Sequence, residues 1–193
     1  MTAMTATELV TFEGVSSSIT SAISRATSAQ LAASSPCAGW TARDVLNHMI
    51  GGADMFAACA RGEQQALPDW SAMPDWVGDD AVASYRRAAA GLIAAFSAQG
   101  VLEGTVPMPW GDTPGAFALN LIMADHATHA WDLIKATGLS IDIEPTAADI
   151  ALATMQASIS PEFRAAGLYG SEQPVPADAP TFDRLAAFTG RSV

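Results

Sequence analysis

The alternation of apolar and polar positions predicts one long helix near the middle of the chain. Between Pro114 and Gly138, apolar residues recur at the three- and four-residue steps that share one helix face: Ala118, Leu121, Ile122, Leu133 and Ala136. Lys135 and Thr137 precede Gly138, a combination typical of a helix C-terminus. We therefore predict a central helix over Pro114–Ala136.

Three more segments carry the same periodicity and are separated by loops rich in glycine, proline and serine. They span Thr7–Ala33, Ala42–Arg61 and Asp80–Ala98. Four such helices predict an all-α, up-and-down four-helix bundle that forms a single domain over residues 1–193. Extra short helices are expected after the bundle, one opened by Thr146 and ending near Ser158, and one over Thr181–Thr189. A short strand is expected at Thr105–Met108, before the central helix.

Two features between these helices indicate where parts of the bundle meet. Gly51 and Gly52 stand in the middle of the second helix, where glycine is costly, so another helix or a ligand is expected to approach closely there. The connection Gly62–Gly78 is long and contains Trp70 and Trp76, which predicts that it folds back onto the bundle. It serves either as a lid over a functional site or as an anchor or subunit contact.

Composition and charge narrow the functional classes. The 193 residues are 50% hydrophobic and 15% charged, and nine basic against twenty acidic residues give a net charge of −11. This balance argues against nucleic acid and anionic membranes as partners, because few groups are present to neutralise phosphates. No apolar run is long enough to span a membrane, and residues 1–8 lack the basic and apolar regions of a signal peptide. Cys37 and Cys59 form no CxxC pair and are expected to be reduced residues of a cytoplasmic protein.

The histidines give the clearest chemical signal. His126 and His129 lie within one turn of the central helix, and Asp125 stands four residues before His129 on the same side. Such a carboxylate and imidazole can reach one cation, and a carboxylate is rarely buried without a partner or a metal. The third histidine, His48, lies on an apolar face of the second helix, which Thr41 opens with a capping signature. Both faces are expected to pack into one interior, although three ordinary core or surface histidines would also fit this pattern.

Two residues near Asp125 have competing interpretations. His126 lies about 100° around the helix from Asp125, so it is less well directed than His129 and is expected to make a polar contact between helices. Asp132 follows His129 by three residues on a neighbouring part of the helix surface. It either orients a metal ligand from behind or pairs with an arginine such as Arg43. The sequence leaves both interpretations open.

Two motifs connect these residues to a known family. The first is GWTARDVLNH at residues 39–48, and the second is Asp125 followed, after three residues, by HAWDL at residues 129–133. Together they resemble the DinB-like metal-binding superfamily, in particular the branch around mycothiol-dependent maleylpyruvate isomerase. Residues 176–191 also resemble the end of this group. The isomerase usually carries Glu where this chain has Asp125, so the shorter arm here changes the reach of that ligand.

The resemblance implies a metal site and a class of reaction. By this likeness His48, Asp125 and His129 are the metal ligands, and three protein ligands leave coordination positions for a catalytic role. Zinc is the expected divalent metal, with nickel as the alternative. The implied protein is a metal-dependent transferase or isomerase that uses a low-molecular-weight thiol such as mycothiol and acts on an electrophile. A homodimer is expected from the family and from exposed tryptophans. The alternative is a non-catalytic protein that binds a metal or small ligand on the same scaffold.

Overall fold

The computed structural model describes residues 7–193 and shows a helical protein with one small hairpin. In this part of the chain the helices are α1 Thr7–Ile23, α2 Ser28–Leu31, α3 Ala42–Ala60, α4 Ala81–Phe96, α5 Gly115–Thr137, α6 Pro145–Ser158, α7 Pro161–Ala165 and α8 Thr181–Phe188. Between α4 and α5, strands β1 Thr105–Met108 and β2 Gly111–Pro114 pair antiparallel. The predicted all-α class is confirmed, and β1 has the predicted bounds. Residues 1–6, which make up most of the segment predicted to lack a signal peptide, lie outside the described residues.

Four helices form the bundle around a single core. Both α1 and α3 pack against α4 and α5, so α1 and α3 stand on one diagonal of the bundle. Because α5 also contacts α6 and α8, it has neighbours on several sides. Residues 122–133 are consequently buried all round except at Asp125, whereas the sequence predicted only one apolar side.

The start of α3 is fixed by local hydrogen bonds. The backbone N–H of Thr41 donates to Asp44 Oδ2 at 2.8 Å, and the backbone N–H of Asp44 donates to Thr41 Oγ1 at 3.2 Å. This reciprocal pair is the predicted capping box with Asp in the third position. Just before it, the backbone N–H of Trp40 donates to the Cys37 carbonyl at 3.0 Å and closes a tight turn. The turn holds Cys37 and Trp40 at the N-terminal end of α3.

The predicted first helix is too long. It ends at Ile23 rather than Ala33, because Thr27 opens a separate short helix. The backbone N–H of Gln30 donates to the Thr27 hydroxyl at 3.2 Å, and the Gln30 side chain accepts from the Thr27 backbone at 2.9 Å. A second capping box therefore interrupts the periodic pattern.

The predicted start of α6 is also wrong. The helix begins at Pro145, and no side chain caps it, so Thr146 does not open it. Proline suits the first helical position because it has no N–H to satisfy there and its backbone angle is already helical. Helix α7 was not predicted, since five residues are too few to show a helical period.

The glycine pair of α3 gives room to the ring of Trp76. A methyl carbon built on Gly51 would lie 2.5 Å from the Trp76 ring, which is closer than real atoms approach. At Gly52 the nearest atom belongs to Ile122 and would be 3.5 Å away, an ordinary contact. The predicted close approach is confirmed at Gly51, where a loop side chain rather than a helix or ligand fills the space.

Two further contacts hold the same end of the long loop between α3 and α4. Arg43 pairs with Asp75 at 2.8 Å, and the Asn47 side chain accepts a hydrogen bond from the backbone N–H of Val77 at 2.9 Å. Val77 itself is fully buried. The loop therefore folds back onto the bundle, as its tryptophans predicted.

Two features concern possible partners: the apolar character of the helices and the exposure of the tryptophans. No helix within residues 7–193 has both the length and the apolar character needed to cross a membrane. Of the five tryptophans, Trp110 is the one that is largely exposed, at 45%. Tryptophan exposure thus gives the predicted homodimer little support, and the dimer stays a prediction.

We expect Gly51→Ala and Gly52→Ala to change stability in opposite directions. Alanine at Gly52 meets only an ordinary contact and should raise the free energy of unfolding by about 0.5–1 kcal/mol, because it removes the entropic cost of glycine in a helix. Alanine at Gly51 must displace Trp76 and should lower it by about 1–3 kcal/mol through overpacking. Urea unfolding of both variants measures this, and equal stabilisation would show that Trp76 does not pack on Gly51.

Candidate metal centre

The three side chains predicted to bind a metal come together between α3 and α5. His48 Nε2 lies 3.3 Å from Asp125 Oδ1, and His129 Nε2 lies 3.6 Å from the same oxygen. Ligand atoms of all three residues lie within 4.8 Å of one another. One carboxylate oxygen thus faces two imidazole nitrogens, an arrangement in which all three groups can bind one cation. We call these three residues the metal triad.

The triad is incompletely satisfied by hydrogen bonds. His48 Nδ1 and Asp125 Oδ2 are buried and have no hydrogen-bond partner among residues 7–193. A buried polar atom without a partner costs about 1–3 kcal/mol. Two imidazoles and one carboxylate are also a donor set that catalytic zinc sites use. The residues present therefore fit a divalent cation better than a closed hydrogen-bond network.

The electrostatics of the triad favour a positive charge. Burial lowers the pKa of His48 and outweighs the neighbouring Asp125, so His48 is neutral at pH 7. Burial also lowers the pKa of His129, but the Asp125 charge and the hydrogen bond to Asp132 outweigh it and raise that pKa to about 10. Burial raises the pKa of Asp125, yet the two imidazoles more than compensate and hold it below its ordinary value. Asp125 is therefore ionised within a largely buried site.

Asp132 connects His129 to the C-terminal segment. His129 Nδ1 donates to Asp132 Oδ2 at 2.9 Å, on the side of the ring opposite the triad. Arg191 donates to both carboxylate oxygens, at 3.1 Å to Oδ1 and 2.8 Å to Oδ2. Both interpretations of Asp132 hold at once, because it orients His129 and also pairs with an arginine. That arginine is Arg191, since Arg43 pairs with Asp75.

Cys37 belongs to the same cluster. Its thiol donates to Asp132 Oδ2 at 3.2 Å and accepts a hydrogen bond from Arg191 Nη2 at 3.4 Å. The sequence assigned Cys37 only the role of a reduced residue, and it gave Arg191 no role. The signal that points to Cys37 is its position just before the GWTARDVLNH motif. Arg191 ends the segment 176–191 that resembles the family, but no local pattern pairs it with Asp132, which is 59 residues away.

Two tryptophans flank the triad. The Trp40 ring centroid lies 5.3 Å from that of His48 and 6.2 Å from that of His129. Trp70, from the long loop, meets the His48 ring edge-on at 4.3 Å. The loop thus places Trp70 against His48 and is anchored to α3 by Trp76. The anchor is confirmed, whereas the lid and the subunit contact stay predictions.

His126 points into the core rather than into the triad. Its Nδ1 accepts a hydrogen bond from the Tyr85 hydroxyl at 2.9 Å, and its Nε2 donates to the Met49 carbonyl at 3.2 Å. Burial lowers the pKa of His126 to about 4, so the ring is neutral at pH 7. The expected polar contact between helices is what the structure shows.

Comparison with known proteins gives a consistent result. A family model described as the mycothiol maleylpyruvate isomerase N-terminal domain matches residues 13–134. An uncharacterized protein of Mycobacterium tuberculosis, from strains CDC 1551 / Oshkosh and H37Rv, is 37% identical over 167 residues, which cover 85% of this chain and 86% of the relative. Among solved structures, that of the mycothiol-dependent maleylpyruvate isomerase matches with a TM-score of 0.58 and 17% identity, over 83% of this chain and 71% of that chain. This last likeness supports the fold alone.

We expect the Asp132–Arg191 pair to matter far more for stability than the surface pair Asp54–Arg87. Asp132 is fully buried and the Arg191 side chain is 12% exposed, so Asp132→Asn leaves a buried charge without its partner and should cost about 3–5 kcal/mol. Asp54→Asn breaks a pair whose side chains are 37% and 58% exposed and should cost at most about 1 kcal/mol. Urea unfolding compares the free energies of unfolding of the two variants, and equal decreases would show that the Asp132–Arg191 pair is no more buried than Asp54–Arg87.

Proposed function

The chain belongs to the mycothiol maleylpyruvate isomerase N-terminal domain family, and on that basis we propose that it is a divalent-metal-dependent enzyme acting on a low-molecular-weight thiol such as mycothiol. The resemblance seen in its motifs is confirmed by the family match. The proposed reaction is a transfer of the thiol to an electrophile or a thiol-dependent isomerisation. Zinc is the proposed metal and nickel the alternative.

One observation carries the proposal: two imidazole nitrogens converge on one oxygen of a largely buried carboxylate. His48 and His129 come from different helices, and both direct Nε2 at Asp125 Oδ1. The other oxygen of Asp125 lacks a hydrogen-bond partner among residues 7–193. Burying an ionised carboxylate while one of its oxygens lacks a hydrogen bond costs free energy, and a purely structural contact does not require that cost.

Each residue of the triad has a defined task. We propose that His48 and His129 bind the cation through Nε2, which in His129 requires loss of the proton that its raised pKa retains at pH 7, and that Asp125 offsets part of the cation's charge. A bound divalent cation lowers the pKa of a thiol or water that it coordinates and so supplies a nucleophile at neutral pH. Asp132 holds the His129 ring by its Nδ1–H, which leaves Nε2 directed at the triad.

The surrounding side chains suit a substrate that arrives from the loop side. Trp40 and Trp70 limit the access of water to His48, and they offer flat apolar surfaces to an organic electrophile. Because Trp70 belongs to a loop whose far end is anchored, its movement can admit a substrate without unfolding α3.

We expect His48→Ala and His129→Ala each to lose the metal. Each variant removes one of three protein ligands, and a two-ligand site does not retain zinc against a chelator. Metal content is measured by mass spectrometry on protein purified without an affinity tag. The matched control is His126→Gln, which removes the third imidazole and should keep a wild-type metal content, because His126 contacts Tyr85 and Met49 instead. Loss of metal from the control with retention in His129→Ala would reject the assigned ligands.

The reaction itself is tested by incubating metal-loaded protein with mycothiol, bacillithiol or glutathione and an electrophile such as maleylpyruvate. A transfer should consume free mycothiol thiol, whereas an isomerisation should change the spectrum of the electrophile only when mycothiol is present and with no net loss of thiol. Either rate should fall to background with His129→Ala. A protein that binds metal yet leaves every thiol and electrophile unchanged would instead be the non-catalytic metal-binding protein that the sequence kept as an alternative.

A further inference from the structure

His129 is shared by two groups of metal-ligand side chains. Its Nε2 faces Asp125 of the metal triad, and its Nδ1 faces Asp132, which also accepts a hydrogen bond from the Cys37 thiol. The ligand atoms of Cys37, His129 and Asp132 lie within 4.8 Å of one another, as those of the triad do. We call these three residues the cysteine group. Thiolate, imidazole and carboxylate together form a donor set that zinc and cobalt bind well.

The two groups differ in whether a positively charged side chain of the protein contacts their donor atoms. The guanidinium of Arg191 contacts both oxygens of Asp132, at 3.1 and 2.8 Å, and the sulfur of Cys37 at 3.4 Å. It therefore lies against two of the three donors of the cysteine group. By contrast, no lysine or arginine side chain among residues 7–193 forms an ion pair with the triad carboxylate Asp125.

The geometry points to Arg191 as the positioning residue that directs the metal to the triad. Its guanidinium takes the place of a metal ion in the cysteine group, so that His129 offers only Nε2 to a cation. This inference rests on the proposed function for the metal in the triad. Its part on the cysteine group stands on the Arg191 contacts alone.

The chemistry of arginine suits this role. Its planar fork matches a carboxylate with two parallel hydrogen bonds, and its charge persists at every physiological pH. A bound metal can be lost or exchanged, whereas the guanidinium is part of the chain. It also keeps the sulfur out of the metal site, because the Cys37 thiol donates to Asp132 Oδ2 instead of binding a cation.

Arg191 reaches the site from a part of the chain outside the range that the family model matches. The family match covers residues 13–134, which include the triad and Asp132 but not Arg191. The C-terminal segment is held against α5 by a second contact, in which Trp131 Nε1 donates to Asp183 Oδ1 at 3.0 Å. Neighbouring residues of the HAWDL motif thus dock the segment that brings Arg191 to the site.

Cobalt(II) spectroscopy tests the inference, because a cobalt–thiolate bond gives a charge-transfer band in the near ultraviolet that histidine and carboxylate ligands do not give. Wild-type protein titrated with cobalt(II) should show only the visible bands of the metal. Arg191→Gln, which removes the charge, should gain the sulfur band at an intensity equivalent to one thiolate per protein. Arg191→Gln/Cys37→Ser should lose it again, which excludes the buried Cys59 as its source.

Two variants serve as controls. Arg191→Lys keeps a positive charge and should show no sulfur band. Arg164→Gln should also show none: Arg164 likewise ties the C-terminal segment together, through the carbonyls of Gly170 and Phe188, but it contacts neither Asp132 nor Cys37. A sulfur band in Arg164→Gln would mean that any loosening of the segment exposes Cys37, and the specific role of Arg191 would be rejected.

The remaining outcomes also decide the matter. A sulfur band in wild-type protein, or its absence from folded Arg191→Gln, overturns the inference. Circular dichroism checks folding, and Arg191→Leu, which keeps apolar bulk at the position, replaces the glutamine variant should that one not fold. If wild type binds no cobalt while Arg191→Gln binds it through sulfur, the proposed function fails, and only the part of the inference that has Arg191 occupying the cysteine group stands. If the triad binds cobalt in every variant without sulfur, the reverse holds.

Discussion

A negative charge buried inside a helical bundle must be offset, and most of this site follows from that requirement. Helix α5 carries two carboxylates about two turns apart, the largely buried Asp125 and the fully buried Asp132. Removing a carboxylate from water without compensation is far too costly for a domain of marginal stability. The chain meets the cost in two ways. Asp132 receives a permanent cation from Arg191, and Asp125 receives the imidazoles of His48 and His129.

His129 joins these two solutions. Its Nδ1 contacts Asp132 and its Nε2 contacts Asp125, so the hydrogen bond to Asp132 also sets how the ring is placed against Asp125. Asp125 and Asp132 are seven residues apart and His129 stands between them, so all three side chains lie on one face of α5 and a single ring can reach both carboxylates.

The sequence predicted the parts of the site that depend on local geometry. Spacing of four residues on a helix is enough to align Asp125 with His129, and the capping box at Thr41 fixes which face of α3 carries His48. Contacts with Arg191 and Cys37 have no such period, because they arise where loops and a distant segment meet α5. The break after α1 was readable, since Thr27 and Gln30 repeat the signature seen at Thr41, but an extended apolar period concealed it.

The distance in sequence between Asp132 and Arg191 also orders events at the ribosome. A nascent chain emerges from its N-terminus, so Asp132 leaves the tunnel 59 residues ahead of its cation. During that interval Asp132 can already accept a hydrogen bond from His129 on the same helix, but its two-oxygen contact with a guanidinium is missing. The full offset of this buried carboxylate therefore waits for translation to reach Arg191.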